Sequence, residues 1–143
     1  MTTLEIDAIN DSDVENVVAL WQRCGLTRPW NDPHADIALA RRRDNSTILI
    51  GRDGGAIVAT VMAGHDGHRG WVYYVAVDPD SRKRGHGRVI MAAAEDWLRQ
   101  AGIAKLQLLV RRENAQANAF YQSLGFEESA SVMFQKWLDG RQQ

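Results

Sequence analysis

Val75-Ala76-Val77-Asp78-Pro79-Asp80-Ser81-Arg82-Lys83-Arg84-Gly85-His86-Gly87 is the stretch whose reading decides the fold. The apolar run from Trp71 to Val77 stops at Asp78-Pro79, and a basic, glycine-bearing turn, Arg82 to Gly87, leads into a helical pattern. A strand feeding a helix through a small-residue turn presents free backbone N–H groups, with the positive end of the helix dipole behind them. Gly85 and Gly87 let that backbone come close to a ligand, and the neighbouring cations suit polyphosphate. The stretch reads as an anion cradle.

On its C-terminal side, Val89, Ile90, Ala93, Ala94, Trp97 and Leu98 form one apolar stripe of a helix over residues 85–101, closed by Gly102. Lys105 to Arg111 reads as a strand, and Asn114 to Leu124 as a helix ended by Gly125, with Ala117, Phe120, Tyr121 and Leu124 on one face. One further strand is expected at Val132 to Trp137. Toward the N-terminus, Thr47 to Gly51 and Ala56 to Gly64 are strands joined by a hairpin at Asp53-Gly54-Gly55. Asp32 caps a helix with Pro33 at its first position, running to about Arg43. Asp11 or Ser12 caps an earlier helix carrying Val14, Val17, Val18, Trp21 and Cys24, ended by Gly25, and residues 3–8 alternate as a first strand. The order β-α-α-β-β-β-α-β-α-β, without a linker, predicts one α/β domain over residues 1–143, its mixed sheet covered on both faces.

The 143 residues are 45% hydrophobic and 24% charged, an ordinary globular balance. No apolar run reaches membrane-spanning length, and no charged-then-apolar leader opens the chain, so a cytoplasmic location and no membrane partner are expected. One cysteine, Cys24, excludes an intrachain disulfide and a cysteine zinc cage, and no metal is expected. A net charge of −1 argues against a general nucleic-acid binder, so the cations at 82–88 suit a small anionic ligand.

Two nucleotide motifs fail at the cradle. No Gly-Lys-Ser/Thr follows the turn, and Ile90 stands where a dinucleotide fingerprint needs a third small residue. What matches is Arg82-x-x-Gly85-x-Gly87 after Val75-x-Val77, together with Asn114-x-x-Ala117-x-x-Phe120-Tyr121-x-x-x-Gly125-Phe126. The two segments resemble the acetyl-CoA-binding signatures of the GNAT superfamily of N-acetyltransferases, and the element order is similar to that superfamily's. Arg28-Pro29-Trp30-Asn31-Asp32-Pro33, Asp66-Gly67-His68-Arg69-Gly70 and Tyr73-Tyr74 resemble its small bacterial YpeA-type members. The resemblance implies an α/β (α+β) GNAT fold: a mixed central sheet of about six strands flanked by four helices, with the fourth and fifth strands splayed.

It also implies roles. Backbone groups of Val75 and Val77 would pair with the pantetheine arm, and the N–H groups of Arg84, Gly85, His86, Gly87 and Arg88 would hold the pyrophosphate. The side chains of Arg82, Lys83 and Arg84 would either touch phosphate or form a solvated run. Within the turn, His86 reads as a surface residue. Asn114 would cap its helix, bond the cofactor arm, or do both. Tyr121 would be the general acid that protonates the departing coenzyme A thiolate; thiol and phenol pKa values lie at about 8.5 and about 10, so the transfer is mildly uphill. Tyr121 also falls on an apolar stripe, where it would be plain core.

Many relatives carry a glutamate base where this chain has Tyr73, and the ribosomal-protein N-terminal acetyltransferases have one where it has Leu109. Water, His65, Asp66 or His68 is left to take the proton, with Tyr73 placed to orient a water or touch the acceptor. Trp30, Asn31, Asp66 and His68 are the acceptor-side candidates, against a reading in which Trp30 covers the core and Asp32 only caps. The expected reaction moves acetyl from acetyl-CoA to a primary amine, small molecule or peptide N-terminus, by direct attack in a ternary complex. A non-catalytic acyl-CoA-binding module is the alternative, and an RNA binder using Arg82–Arg88 a weaker third. Only 17 residues follow Phe126, so one long strand is expected where the family has two, leaving the acceptor site open or completed by a second subunit in a homodimer.

Overall fold

The structure is a computed structural model, describing residues 3–141. It comprises two compact units, one up to Leu109 and one from Val110 on. In the first unit, strands β1 (Glu5–Ala8), β2 (Ser46–Asp53), β3 (Ala56–His65), β4 (Gly70–Val77) and β5 (Leu106–Gln107) form one sheet in the order β1-β2-β3-β4-β5. The first three pairings are antiparallel and β4–β5 is parallel, so the sheet is mixed. Helices α1 (Val14–Arg23) and α2 (Pro33–Ala40) cover one face. That side buries Val17, Val18, Leu20, Trp21 and Ile37 against Ile48, Ile50 and Ala76.

Helix α3 (His86–Gln100) covers the other face. A Cβ on Gly70 would stand 2.7 Å from Leu98 Cδ1, so only glycine lets β4 start this close to α3. Cross-strand partners share a face, and Leu49–Val61 and Ala63–Val72 turn their buried side chains to this side. The α3 stripe is corrected in one place: Val89 is exposed, and the buried positions are His86, Ile90, Met91, Ala94 and Leu98.

Local rules account for most ends. Asn10, rather than Asp11 or Ser12, caps the first helical turn, accepting from Ser12 N–H while Asp13 accepts from Asn10 N–H. Asp32 accepts from His34 N–H and Ala35 N–H, and Pro33 occupies the first position of α2, which stops at Ala40 and not near Arg43.

Two strands fall short of expectation. Where Lys105 to Arg111 was expected to be a strand, only Leu106–Gln107 pairs, against Gly70 and Trp71. Beyond Trp71, β4 bulges and departs from β5, so the later residues lack a partner and the two strands splay as expected. In the second unit, α4 (Ala115–Ser123) is the regular element, and residues 126–141 form no strand, so the sheet has five strands and not six. A strand needs a neighbour for its N–H and C=O groups. Among the described residues no strand pairs with Val132 to Trp137, and Phe134 is 94% exposed. No described helix is long and apolar enough to cross a membrane.

Candidate active site

Strand β4 is followed by Asp78, whose side chain accepts from Asp80 N–H at 3.0 Å and pairs with Arg23 at 2.9 Å. Those bonds, the Asp80 N–H first, hold its carboxyl below the usual range against the opposing effect of burial. The chain then turns through Arg82, Lys83 and Arg84, all exposed, into α3. Lys83 sits in the left-handed region with φ 65°, and Gly85 follows at φ 79° as the N-cap. A Cβ on Gly85 would meet no protein atom within 4 Å, so within the protein the glycine serves backbone conformation.

No side chain caps α3, and its first turn carries no acid. Its first internal bond is Val89 N–H to Gly85 C=O, which leaves the preceding N–H groups free of helical partners. By contrast, Asp32 caps α2 and Asn114 caps α4. An uncapped, acid-free N-terminus flanked in sequence by the exposed Arg82, Lys83, Arg84 and Arg88 has the features of an anion site.

Beside it lies an open strand edge. Asp78 N–H donates to Val58 C=O, which makes Ala59–Val77 a non-hydrogen-bonded pair. The N–H and C=O of Val77 therefore point away from β3, toward the side where β5 has already left. The Val77 carbonyl accepts from Cys24 Sγ at 3.2 Å and Arg82 Nε at 3.4 Å. An extended arm laid here would meet strand-like backbone groups, and its charged end would reach the α3 turn. The structure brings Val75, Val77 and residues 82–88 together at one end of β4.

His86 is the surprise in the turn. Expected at the surface, it is 1% exposed, and neither ring nitrogen meets a partner among the described residues. Its position four residues before Ile90 and eight before Ala94 puts it at the start of the buried stripe, a periodicity readable in the sequence.

The acceptor-side candidates divide. Tyr73 is 48% exposed, Trp30 is 45% exposed, and Asn31 N–H donates to Arg28 C=O. Asp66 and His68 lie in the β3–β4 turn, where Asp66 Oδ1 accepts from Arg69 N–H at 2.7 Å and His68 N–H at 2.9 Å. These bonds hold the Asp66 carboxyl below its usual range. His65 Nδ1 accepts from Gly67 N–H. The turn sits at the Gly70 end of β4, about 10 Å along the strand from Tyr73 at roughly 3.3 Å per residue, and opposite the cradle.

In the second unit, Asn114 Oδ1 accepts from Ala117 N–H at 3.0 Å, a cap as expected. Tyr121 lies half-buried and edge-on to Phe120 and Phe126, with ring centroids 5.0 and 5.8 Å away. Burial pushes its phenol up. Among the described residues no cluster of His, Cys, Asp or Glu is arranged to hold a metal.

Sequence reasoning passed over Tyr74, Asp36 and Thr60. Tyr74 has φ 51°, stacks on Trp21 and donates to Asp36 Oδ2 at 2.6 Å. No local pattern marks it, because its conformation depends on how β4 is registered against β3.

Residues 11–126 match the model of the family described as Acetyltransferase (GNAT) family. An acetyltransferase of Yersinia enterocolitica is 40% identical over 135 residues, covering 94% of this chain and 96% of the relative. An N-acetyltransferase of Yersinia pestis, itself described as uncharacterized, is 38% identical with 94% and 96% covered. A solved ribosomal-protein alanine N-acetyltransferase of Escherichia coli superposes with a TM-score of 0.75 at 27% identity, over 88% of this chain and 79% of that one. An aminoglycoside N-acetyltransferase in complex with CoA reaches 0.82 at 21% identity over 96% and 97%, a likeness of fold. The chain belongs to the acetyltransferase (GNAT) family. Its activity is that of an acetyl-CoA-dependent N-acetyltransferase.

Proposed function

We propose that residues 1–143 act as one domain that transfers acetyl directly to a primary amine, donor and acceptor being bound together. The observation that carries this reading is the uncapped α3 N-terminus behind Gly85, standing beside the outward-turned backbone of Val77. Acetyl-CoA supplies an activated thioester when bound. The N–H groups of Arg84 to Arg88 hold its pyrophosphate, with Arg82, Lys83 and Arg84 adding charge, and Val75 and Val77 align the arm. Asn114 bonds the arm while capping α4. Tyr121, its phenol kept protonated by burial, delivers the proton to the leaving sulfur. No carboxylate base stands at Tyr73 or Leu109, so a water oriented by Tyr73 takes the proton of the attacking amine.

The acceptor is a small-molecule amine or a peptide N-terminus; the similar enzymes are named for aminoglycosides and for a ribosomal-protein alanine. Trp30 and Asn31 line its side. A thiol-release assay against amines, amino acids, polyamines and peptide N-termini tests this. Turnover in one class supports the reading, and tight acetyl-CoA binding with no turnover on any acceptor would favour a binding module. The exposed Val132, Met133, Phe134 and Leu138 support a homodimer in which this segment is covered by a second copy, which sedimentation reads directly. We place the reaction in the cytoplasm, where acetyl-CoA is formed.

A further inference from the structure

The mechanism gives work to Tyr73 and none to its neighbour, yet Tyr74 is the more constrained residue. A φ of 51° is a genuine outlier for a bulky aromatic. It falls at a bulge: Thr60 faces Ala76 and Met62 faces Tyr73, so Val61 alone spans Tyr74 and Val75. The extra residue changes which side chains share a face. Tyr73 opposes Met62, which packs against the core beneath α1 and α2, and Tyr74 packs against that same core. Two consecutive tyrosines thus lie on one face, where unbroken alternation would have separated them.

Three contacts hold Tyr74 there. The Thr60 hydroxyl donates to its carbonyl at 3.0 Å and accepts from Trp21 Nε1–H at 2.8 Å. The Tyr74 ring stacks on Trp21 with centroids 3.8 Å apart and planes 9° from parallel. The phenol donates to Asp36 Oδ2 at 2.6 Å. Asp36 belongs to the first turn of α2, which Asp32 caps directly after Trp30 and Asn31. Burial first, then the hydrogen bond and charge of Asp36 and the charge of Asp32, push the Tyr74 phenol far above its usual value. A strained residue held from three sides, next to an open strand edge, points to function.

We propose that Tyr74 and Asp36 are positioning residues for the acceptor: their hydrogen bond clasps the start of α2, and with it the Trp30–Asp32 loop, onto the bulge that presents Tyr73. The inference rests on the acetyl-transfer reading above. The Trp21 stack and the Thr60 bond hold the bulge without the phenol, so losing the hydroxyl loosens α2 and spares the donor side.

The test compares Tyr74→Phe, Asp36→Ala and the double variant in the full chain, with spermidine as acceptor probe. Each single change raises the spermidine KM about tenfold, the double adds nothing further, and acetyl-CoA Kd stays within about twofold. Asp36→Asn, which keeps an acceptor oxygen, recovers most of the loss. Amide exchange of Ile37 to Ala40 speeds up in Tyr74→Phe while that of Ala59 to Ala63 does not. Equal rises in KM and Kd, or additive single effects, would reduce the pair to a plain structural contact and overturn the proposal. If wild-type protein turns over no spermidine, the polyamine acceptor fails and exchange still decides the clasp: unchanged α2 protection in Tyr74→Phe sinks it.

Discussion

Burial raises the phenol of Tyr121, which lies edge-on to Phe120 and Phe126. For the acid role proposed above, that widens the uphill step between phenol and thiol while leaving the phenol protonated across neutral pH. Tyr121→Phe is therefore expected to lower kcat by about 10², with acetyl-CoA affinity unchanged by calorimetry. The wild-type rate should show no loss from this group until pH passes about 10. Unchanged turnover would return Tyr121 to the apolar face of α4. His86 makes the opposite kind of claim. A buried imidazole with neither nitrogen paired forfeits about 1–3 kcal/mol of desolvation free energy, so His86→Leu should stabilise the fold. A rise in melting temperature of about 4 °C would match about 1 kcal/mol at this size; a fall would mean that the ring is paired in solution.

At the scale of elements, the cradle is a strand, a turn and a helix contiguous in sequence, which is why it was legible. Gly85 lies where φ is positive, the cations follow one another, and the stripe from Ile90 to Leu98 has helical spacing. Gly87→Glu places a carboxylate at the α3 N-terminus and should raise the acetyl-CoA Kd by more than about tenfold, since charge and bulk both oppose the ligand there. Affinity that survives this change would move the pyrophosphate elsewhere. The β4 bulge was not legible, because an extra residue is defined only by the partner strand, and nothing in Tyr73-Tyr74-Val75 differs from ordinary alternation. The short β5 has the same cause. Its residues are good strand formers, but β4 leaves them after Trp71. The segment Val132 to Trp137 has strand composition and no strand.

On the scale of the molecule, acid stability should turn on Asp13, which joins the first helical turn to β2. Its nearly buried carboxylate accepts from Arg52 Nη2 at 2.8 Å. Burial disfavours the charge, but Arg52, the Asn10 N–H and Arg41 together outweigh it and lower the pKa. A lowered native pKa contributes stability that is complete above the unfolded value of 3.8 and is lost as pH falls through the native one. Asp13→Asn should cost roughly 1.5–3 kcal/mol at pH 7 and flatten the stability profile below about pH 4, both read by urea unfolding across pH. An unaltered acid limb would show the pair to be dispensable. By itself the sequence determined the family: a glycine-bearing turn between strand and helix generates free N–H groups wherever it occurs, and Arg82–Gly87 with its partner motif carried the resemblance that the family match bears out. Tertiary structure alone decided where β4 bulges and what holds Tyr74 there. The bulge and the hydrogen bond of Tyr74 to Asp36 arise from register and packing between residues far apart in the chain, which no local pattern encodes.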